Sequence, residues 1–104
     1  MCTAVTAAIV VPAIASSPDV NRTIAEITVR IDGDRRGGSG VIAYKKGNRY
    51  YVLTNTHVVN LPETYTIVTE NGTRYSVDSG DILYMPGVDL AVLPFTSNAE
   101  YRVA

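Results

Sequence analysis

Apolar and polar residues alternate with a period of two beyond Glu26. Ile27, Val29 and Ile31 fall on one side of the chain, with polar residues between them. This alternation predicts a strand that buries one face. Residues 32–38 contain three glycines and two aspartates, and they predict a loop after this strand.

Two pairs of strand-like runs each flank a short turn that contains glycine. Asn-Gly between two β-rich runs is a strong hairpin signal. We therefore predict two β-hairpins. They comprise residues 38–44 with 50–54 around Gly47, and residues 65–69 with 73–77 around Asn71-Gly72.

Two shorter features complete the pattern. Ser17-Pro18-Asp19 is typical of a helix start, and we expect only one or two helical turns after it. A short run, residues 81–84, precedes a strong strand that Asp89 opens and that extends to Leu93. About six closely spaced strands without a long helical period predict an all-β fold, a single six-stranded antiparallel β-barrel.

Length and composition are those of one globular domain. The chain has 104 residues, of which 46% are hydrophobic and 18% are charged. Nine Lys and Arg residues nearly balance ten Asp and Glu residues, and no basic stripe is present. Since nucleic-acid binding depends on a concentrated positive charge, we expect no nucleic-acid partner.

The N-terminal segment is uncharged and weakly apolar. Residues 1–18 carry no charged side chain, and the apolar run within them, residues 4–15, includes Pro12. A membrane-spanning helix needs about 20 predominantly apolar residues. We therefore expect no membrane span.

Ala13-Ile14-Ala15 has the small-x-small pattern that precedes signal-peptidase cleavage. Residues 1–15 are thus predicted to be a signal peptide, with an ordinary apolar tail as the alternative. Residues 16–104 then form the domain, which we expect to be exported to the periplasm or the extracellular space. Cleavage would remove Cys2, the single cysteine, and a cysteine-free domain suits an oxidising compartment.

The loop after the first strand carries Asp32 and Asp34 in an Asp-x-Asp spacing. A calcium loop also needs a third oxygen ligand and a glutamate at fixed positions, and this loop has neither. We therefore expect neither a metal nor another cofactor.

His57, the only histidine, follows the strand-like run 50–54 by three residues, and Asp89 precedes the last apolar run. Two strand-end positions of this kind can meet at one rim of a barrel. A carboxylate that orients an imidazole is the arrangement that general-base catalysis needs. From the residues alone, a structural histidine and a capping aspartate remain the alternatives.

Three motifs occur in order along the chain. They are Gly38-Ser39-Gly40-Val41-Ile42, residues 51–59 and Asp89-Leu90-Ala91-Val92-Leu93. Together they resemble the N-terminal half of trypsin-like serine proteases, in particular the bacterial HtrA-type branch and the trypsin-like peptidase domains of cyanobacteria. By this resemblance, His57 matches the general base, Asp89 the orienting acid and Thr54 the residue that closes the strand before the base. The fold implied is the first of two β-barrels.

The resemblance places the nucleophilic serine in a glycine-rich loop of a second barrel, and neither Gly-x-Ser-x-Gly nor that barrel occurs in this sequence. Ser39 lies between two glycines, but it matches a strand start in the first barrel. We therefore expect the chain to be inactive alone, and to act on a peptide or protein substrate only if a second barrel is supplied. The alternative is a non-catalytic module that binds peptides or proteins. In either case the face left exposed by the missing barrel predicts self-association.

Overall fold

The computed structural model describes residues 18–104, so the signal peptide predicted for residues 1–15 lies outside the described residues. One helix, α1 (Pro18–Ile27), precedes seven strands in the described part of the chain. Single 3₁₀ turns follow β3 (Thr56–Val58) and β5 (Ser79–Asp81). The strands are β1 (Thr28–Asp32), β2 (Gly37–Lys46), β3 (Arg49–Thr54), β4 (Thr64–Val68), β5 (Arg74–Asp78), β6 (Leu83–Tyr84) and β7 (Ala91–Thr96).

Helix α1 is longer than the sequence pattern predicts. It begins at Pro18, whose fixed φ suits a first helical position, and its ten residues make about three turns. The expectation of one or two turns is therefore wrong, and Ile27 ends the helix instead of opening the strand. The Thr28 hydroxyl donates to the carbonyl oxygen of Ile24, which satisfies one of the free carbonyls of the last turn.

All seven strands form one antiparallel sheet in the order β5-β4-β1-β2-β3-β7-β6. Both predicted hairpins are confirmed, since β2 pairs with β3 and β4 pairs with β5. Gly47 and Gly72, one in each hairpin turn, have φ values of 64° and 86°. This left-handed conformation is open to glycine at little cost.

The sheet curls into a half-barrel, and the prediction of a closed six-stranded barrel is wrong. Within residues 18–104, no backbone ladder joins the two edge strands, β5 and β6. Strand β6 has only two residues, which pair with β7, so it offers too little backbone to close the sheet. The strands are antiparallel, as predicted, but the barrel is not closed.

Aromatic side chains connect β5 with β7, two strands that no backbone ladder joins. The ring of Tyr75 on β5 lies 4.5 Å, centroid to centroid, from Phe95 on β7. Tyr101 lies in the segment after β7, and its hydroxyl is 2.7 Å from the hydroxyl of Tyr75. The backbone N–H of Tyr101 donates to Tyr50 Oη. Side-chain packing and hydroxyl bonds thus hold the two sides of the half-barrel together.

The concave face of the sheet carries the hydrophobic core. Alternate residues of β1, β3 and β7 point inward, as the period-two pattern predicts for β1, where Val29 and Ile31 are buried. The buried hydrophobic cluster comprises Val29, Ile31, Ile42, Tyr50, Val52, Val59, Tyr65, Ile67, Val77, Ile82, Ala91, Leu93 and Phe95.

Gly40 lies where β1, β2 and β3 are packed closely. A Cβ atom at this position would lie 2.7 Å from Cγ1 of Val52 and 2.9 Å from the carbonyl oxygen of Leu53. The second contact is with backbone in a paired strand, so the sheet itself would have to move. This part of the sheet therefore needs glycine.

Gly40→Ala should lower the free energy of unfolding by about 1 to 3 kcal/mol, the usual cost of adding a methyl group to a tightly packed core. Urea denaturation followed by tyrosine fluorescence measures this. Gly80→Ala is the matched control, because a Cβ there has open space and no left-handed backbone to strain. Equal stability of the two variants would contradict the packing described for Gly40.

Candidate catalytic site

The candidate site lies at one end of the β3–β7 pair. The ladder between these strands ends with Thr54 opposite Ala91. The residues that follow Thr54 and those that precede Ala91 therefore leave the sheet side by side. His57 lies in the first segment, and Asp89 lies in the second. The expectation that Asp89 opens the last strand is wrong, because β7 begins two residues later at Ala91.

The 3₁₀ turn that carries His57 is fixed from the side of β2. Thr54, the last residue of β3, is buried, and its hydroxyl donates to the carbonyl oxygen of Ser39 at 2.7 Å. Gly38 packs against Val58, where a Cβ would lie 2.8 Å from the valine Cγ1. Close approach of β2 at glycine thus holds the turn on both sides of the histidine.

The structure brings His57 and Asp89 into direct contact. Nδ1 of the imidazole lies 2.6 Å from Oδ2 of Asp89. The backbone N–H of His57 donates to Oδ1 of the same carboxylate at 3.0 Å. Both carboxylate oxygens therefore face one residue, and the ring orientation is set by two bonds.

Electrostatics fixes which ring nitrogen carries the proton. Hydrogen bonds from the ring and from the backbone N–H of His57 hold the pKa of Asp89 below its usual value, so the carboxylate is ionised at neutral pH. An ionised carboxylate only accepts hydrogen bonds, so Nδ1 is the protonated nitrogen. In the neutral imidazole, Nε2 is then left with a free lone pair, which is the form a general base needs.

Two neighbours of His57 bind the segment that carries Asp89, although no sequence pattern marks them as site residues. The side-chain amide of Asn55 donates to the carbonyl oxygen of Asp89 at 3.0 Å. The Thr56 hydroxyl donates to the carbonyl oxygen of Leu90 at 2.9 Å. Short polar side chains at a strand end often bond to backbone. Partners 34 residues away cannot, however, be read from sequence spacing.

An open cleft beside His57 is lined by Arg36, Ser39, Asn55 and Val58, among others. Ser39 is exposed, but among residues 18–104 no serine hydroxyl hydrogen-bonds to the imidazole. Ser97 instead bonds to Tyr75, on the opposite side of the half-barrel. The described residues thus bring an imidazole and a carboxylate together, with no serine hydroxyl bonded to the ring.

Residues 18–104 contain no cluster of three metal-ligating side chains close enough to share an ion. No helix in the same range is both long and apolar enough to span a membrane.

Comparison with known proteins finds a likeness among solved structures. No protein-family model and no curated protein sequence matches the chain. Among solved structures, the chain is similar to the serine endoprotease from Yersinia pestis, with 30% sequence identity and a TM-score of 0.56. The likeness covers 75% of this chain and 29% of that protein, so the chain spans less than a third of its length.

The fold is therefore that of a trypsin-like serine protease, over the part of such a protein that this chain spans. Identity of 30% over most of the chain and the curled antiparallel sheet agree on this class.

Asp89→Asn should lower the stability of the protein at neutral pH but not at acid pH. Folding lowers the pKa of Asp89, so its stabilising effect is present above the unfolded pKa of about 4 and is lost as pH falls through the folded pKa. The difference in urea midpoint between wild type and variant should be clear at pH 7 and shrink toward zero near pH 2. A difference that stays constant over this range would contradict the contact between His57 and Asp89.

Proposed function

We propose that this chain is the N-terminal part of a trypsin-like serine endopeptidase of the HtrA-type branch, in which His57 is the general base and Asp89 the orienting acid. The observation that carries the proposal is the double contact between the two residues, 2.6 Å from Nδ1 to Oδ2 and 3.0 Å from the backbone nitrogen to Oδ1. A structural histidine has no need of an exposed ring oriented in this way, and the His57 side chain is 70% exposed.

The chemistry proposed is acyl transfer through a serine. With Nδ1 held by Asp89, Nε2 accepts the proton of a serine hydroxyl as the serine oxygen attacks the scissile carbonyl. The imidazolium then donates this proton to the departing amine, and the peptide C–N bond breaks to leave an acyl-serine. Water then attacks the acyl-serine ester and gives a proton to Nε2, and the imidazolium returns the proton to the serine oxygen as the ester C–O bond breaks. The Asp89 carboxylate stabilises the imidazolium in both steps.

The serine and the oxyanion-binding amides belong, in this proposal, to a second barrel outside this chain. The Yersinia pestis protein is more than three times as long as the part that this chain matches, which leaves room for such a barrel. The proposal also includes export, which rests on Ala13-Ile14-Ala15 and on a residue 16–104 segment without cysteine.

Residues 16–104 alone should not react with a fluorophosphonate, which needs an activated serine. Labelling should appear when a second polypeptide that carries a glycine-flanked serine is added, and it should lie on that serine. This polypeptide is to be taken from the reading frames that follow codon 104. His57→Ala should abolish labelling, and Asp89→Asn should slow it by about 10⁴-fold, as loss of the orienting carboxylate does in a Ser-His-Asp triad.

Thr64→Val is a suitable control variant, because Thr64 lies on β4 and its hydroxyl bonds only to Asp78 among the described residues. It should label at the wild-type rate. Labelling of Ser39 in the isolated chain would overturn the proposal. A second polypeptide that binds tightly and stays unlabelled would favour a binding module.

The second candidate function, a non-catalytic binding module, is favoured by the outer face of the sheet. One cross-strand row on this face joins Val41, Leu53, Val92 and Leu83, which lie on four neighbouring strands. All four are apolar, and Leu83 is 64% exposed. The adjoining row adds Tyr44, Tyr51 and Pro94. We call these seven residues the apolar outer face.

Residues 16–104 should self-associate through the apolar outer face, because apolar patches larger than a few hundred Å² tend to be covered by protein. Sedimentation velocity at about 100 μM should show a dimer or larger species. Leu53→Lys should shift the chain to monomer, since Leu53 already points to solvent and the fold should tolerate the charge. Ser76→Lys adds the same charge at an exposed position of β5, the strand at the opposite edge of the sheet, and should leave association unchanged. A monomeric wild-type chain would contradict this prediction.

A further inference from the structure

The segment between β6 and β7, residues 85–90, carries Asp89 and packs little apolar surface. We call it the acid loop. All six of its residues are exposed, including Met85 at 47% and Val88 at 56%. A loop with so few buried contacts is held mainly by its polar ones. The position of the Asp89 carboxylate therefore depends on the hydrogen bonds that the acid loop makes.

Those bonds converge on three consecutive residues. Among the described residues, every hydrogen bond that joins the acid loop to another part of the chain comes from Asn55, Thr56 or His57. Asn55 and Thr56 bond to backbone carbonyls of the loop, and His57 bonds to the carboxylate. The two kinds of bond do different work, because the first kind fixes the loop and the second fixes the imidazole.

We propose that Asn55 and Thr56 are positioning residues, whose side chains hold the acid loop by the carbonyl oxygens of Asp89 and Leu90 so that the Asp89 carboxylate meets the His57 ring. This inference deepens the proposed function and rests on it.

The carbonyl oxygen of Leu90 accepts two hydrogen bonds, one of which comes from Thr56. It accepts the Thr56 hydroxyl at 2.9 Å and also the backbone N–H of Met85 at 3.0 Å. The second bond closes the acid loop on itself across the turn at Gly87, whose φ is 78°. Thr56 thus binds the loop at the atom that also defines its shape.

The Asn55 bond acts one residue earlier, on the backbone of Asp89 itself. With this carbonyl engaged, both oxygens of the carboxylate remain free for His57. A carboxylate that had to anchor its own loop would have only one oxygen for the histidine. Because Asn55 and Thr56 hold the loop by its backbone, both oxygens of the Asp89 carboxylate can bond to His57.

The test measures which nitrogen of the neutral His57 ring carries the proton. The ratio of the two tautomers is obtained by ¹⁵N NMR on residues 16–104, at a pH where the imidazole is neutral. Wild type should show mainly the Nδ1–H tautomer, because Nδ1–H donates to Asp89. Thr56→Val keeps the side-chain shape and removes the donor. It should lower the ratio of Nδ1–H to Nε2–H tautomer by about fivefold, the effect of one lost hydrogen bond. Asn55→Ala should act in the same direction.

Two matched variants separate positioning from general stability. Thr56→Ser retains the hydroxyl and should restore the wild-type tautomer ratio. Thr64→Val removes a hydroxyl that bonds to Asp78 and should leave the ratio unchanged, even if its melting temperature falls as far as that of Thr56→Val.

The outcomes distinguish this inference from the proposed function. Thr56→Val with the wild-type tautomer ratio would overturn the positioning role and leave the proposed base and acid intact. A wild-type chain without the Nδ1–H tautomer would instead show that His57 and Asp89 are not paired, and both proposals would fail.

Discussion

The antiparallel ladder between β3 and β7 is the constraint on which the site depends. Its register, from Arg49 opposite Thr96 to Thr54 opposite Ala91, decides which residues leave the sheet together. A slip of one residue would exchange buried and exposed faces along both strands, so the core fixes the register as firmly as the backbone bonds do. His57 and Asp89 are 32 residues apart in sequence and meet because this ladder ends where it does.

Strands β5 and β7 are connected in two ways. Backbone pairing runs continuously from β5 through β4, β1, β2 and β3 to β7. In addition, the cluster of Tyr50, Tyr75, Phe95 and Tyr101 holds β5 against β7 through ring contacts and hydroxyl bonds. The β3–β7 ladder thus supports the candidate catalytic pair, whereas the aromatic cluster connects β5 to β7 across the curled sheet.

Local patterns in the sequence predicted local structure well. The turns at Gly47 and Asn71-Gly72 identified both hairpins, because left-handed glycine in a short turn determines how the chain returns. The boundary between α1 and β1 was misplaced because Ile24 and Ile27 also fit a helical spacing. A period of two over so few residues does not exclude a helix.

Features that depend on contacts between distant residues could not be predicted from the sequence. Closure of the barrel depends on whether β6 offers enough backbone to pair on both sides. The pattern over residues 81–84 does not show that only Leu83 and Tyr84 form a strand, or that they pair with β7 alone. The polar run before His57 likewise gave no sign that Asn55 and Thr56 would reach the backbone beside Asp89. His57 and Asp89 can be proposed as site residues because the motifs that contain them resemble a known family, whereas no sequence pattern marks Asn55 and Thr56.

Exposure of the His57–Asp89 pair to solvent limits the strength of the charge interaction between the two side chains. The two side chains are 70% and 52% exposed, so water surrounds the pair and weakens the attraction between carboxylate and imidazolium. A protein surface laid over the pair would replace that water with a medium of lower polarity. Lowering the effective dielectric constant from about 80 to about 20 strengthens a charge interaction about fourfold. In the proposed enzyme, the second barrel would therefore strengthen the attraction between Asp89 and the imidazolium as well as supply the nucleophile.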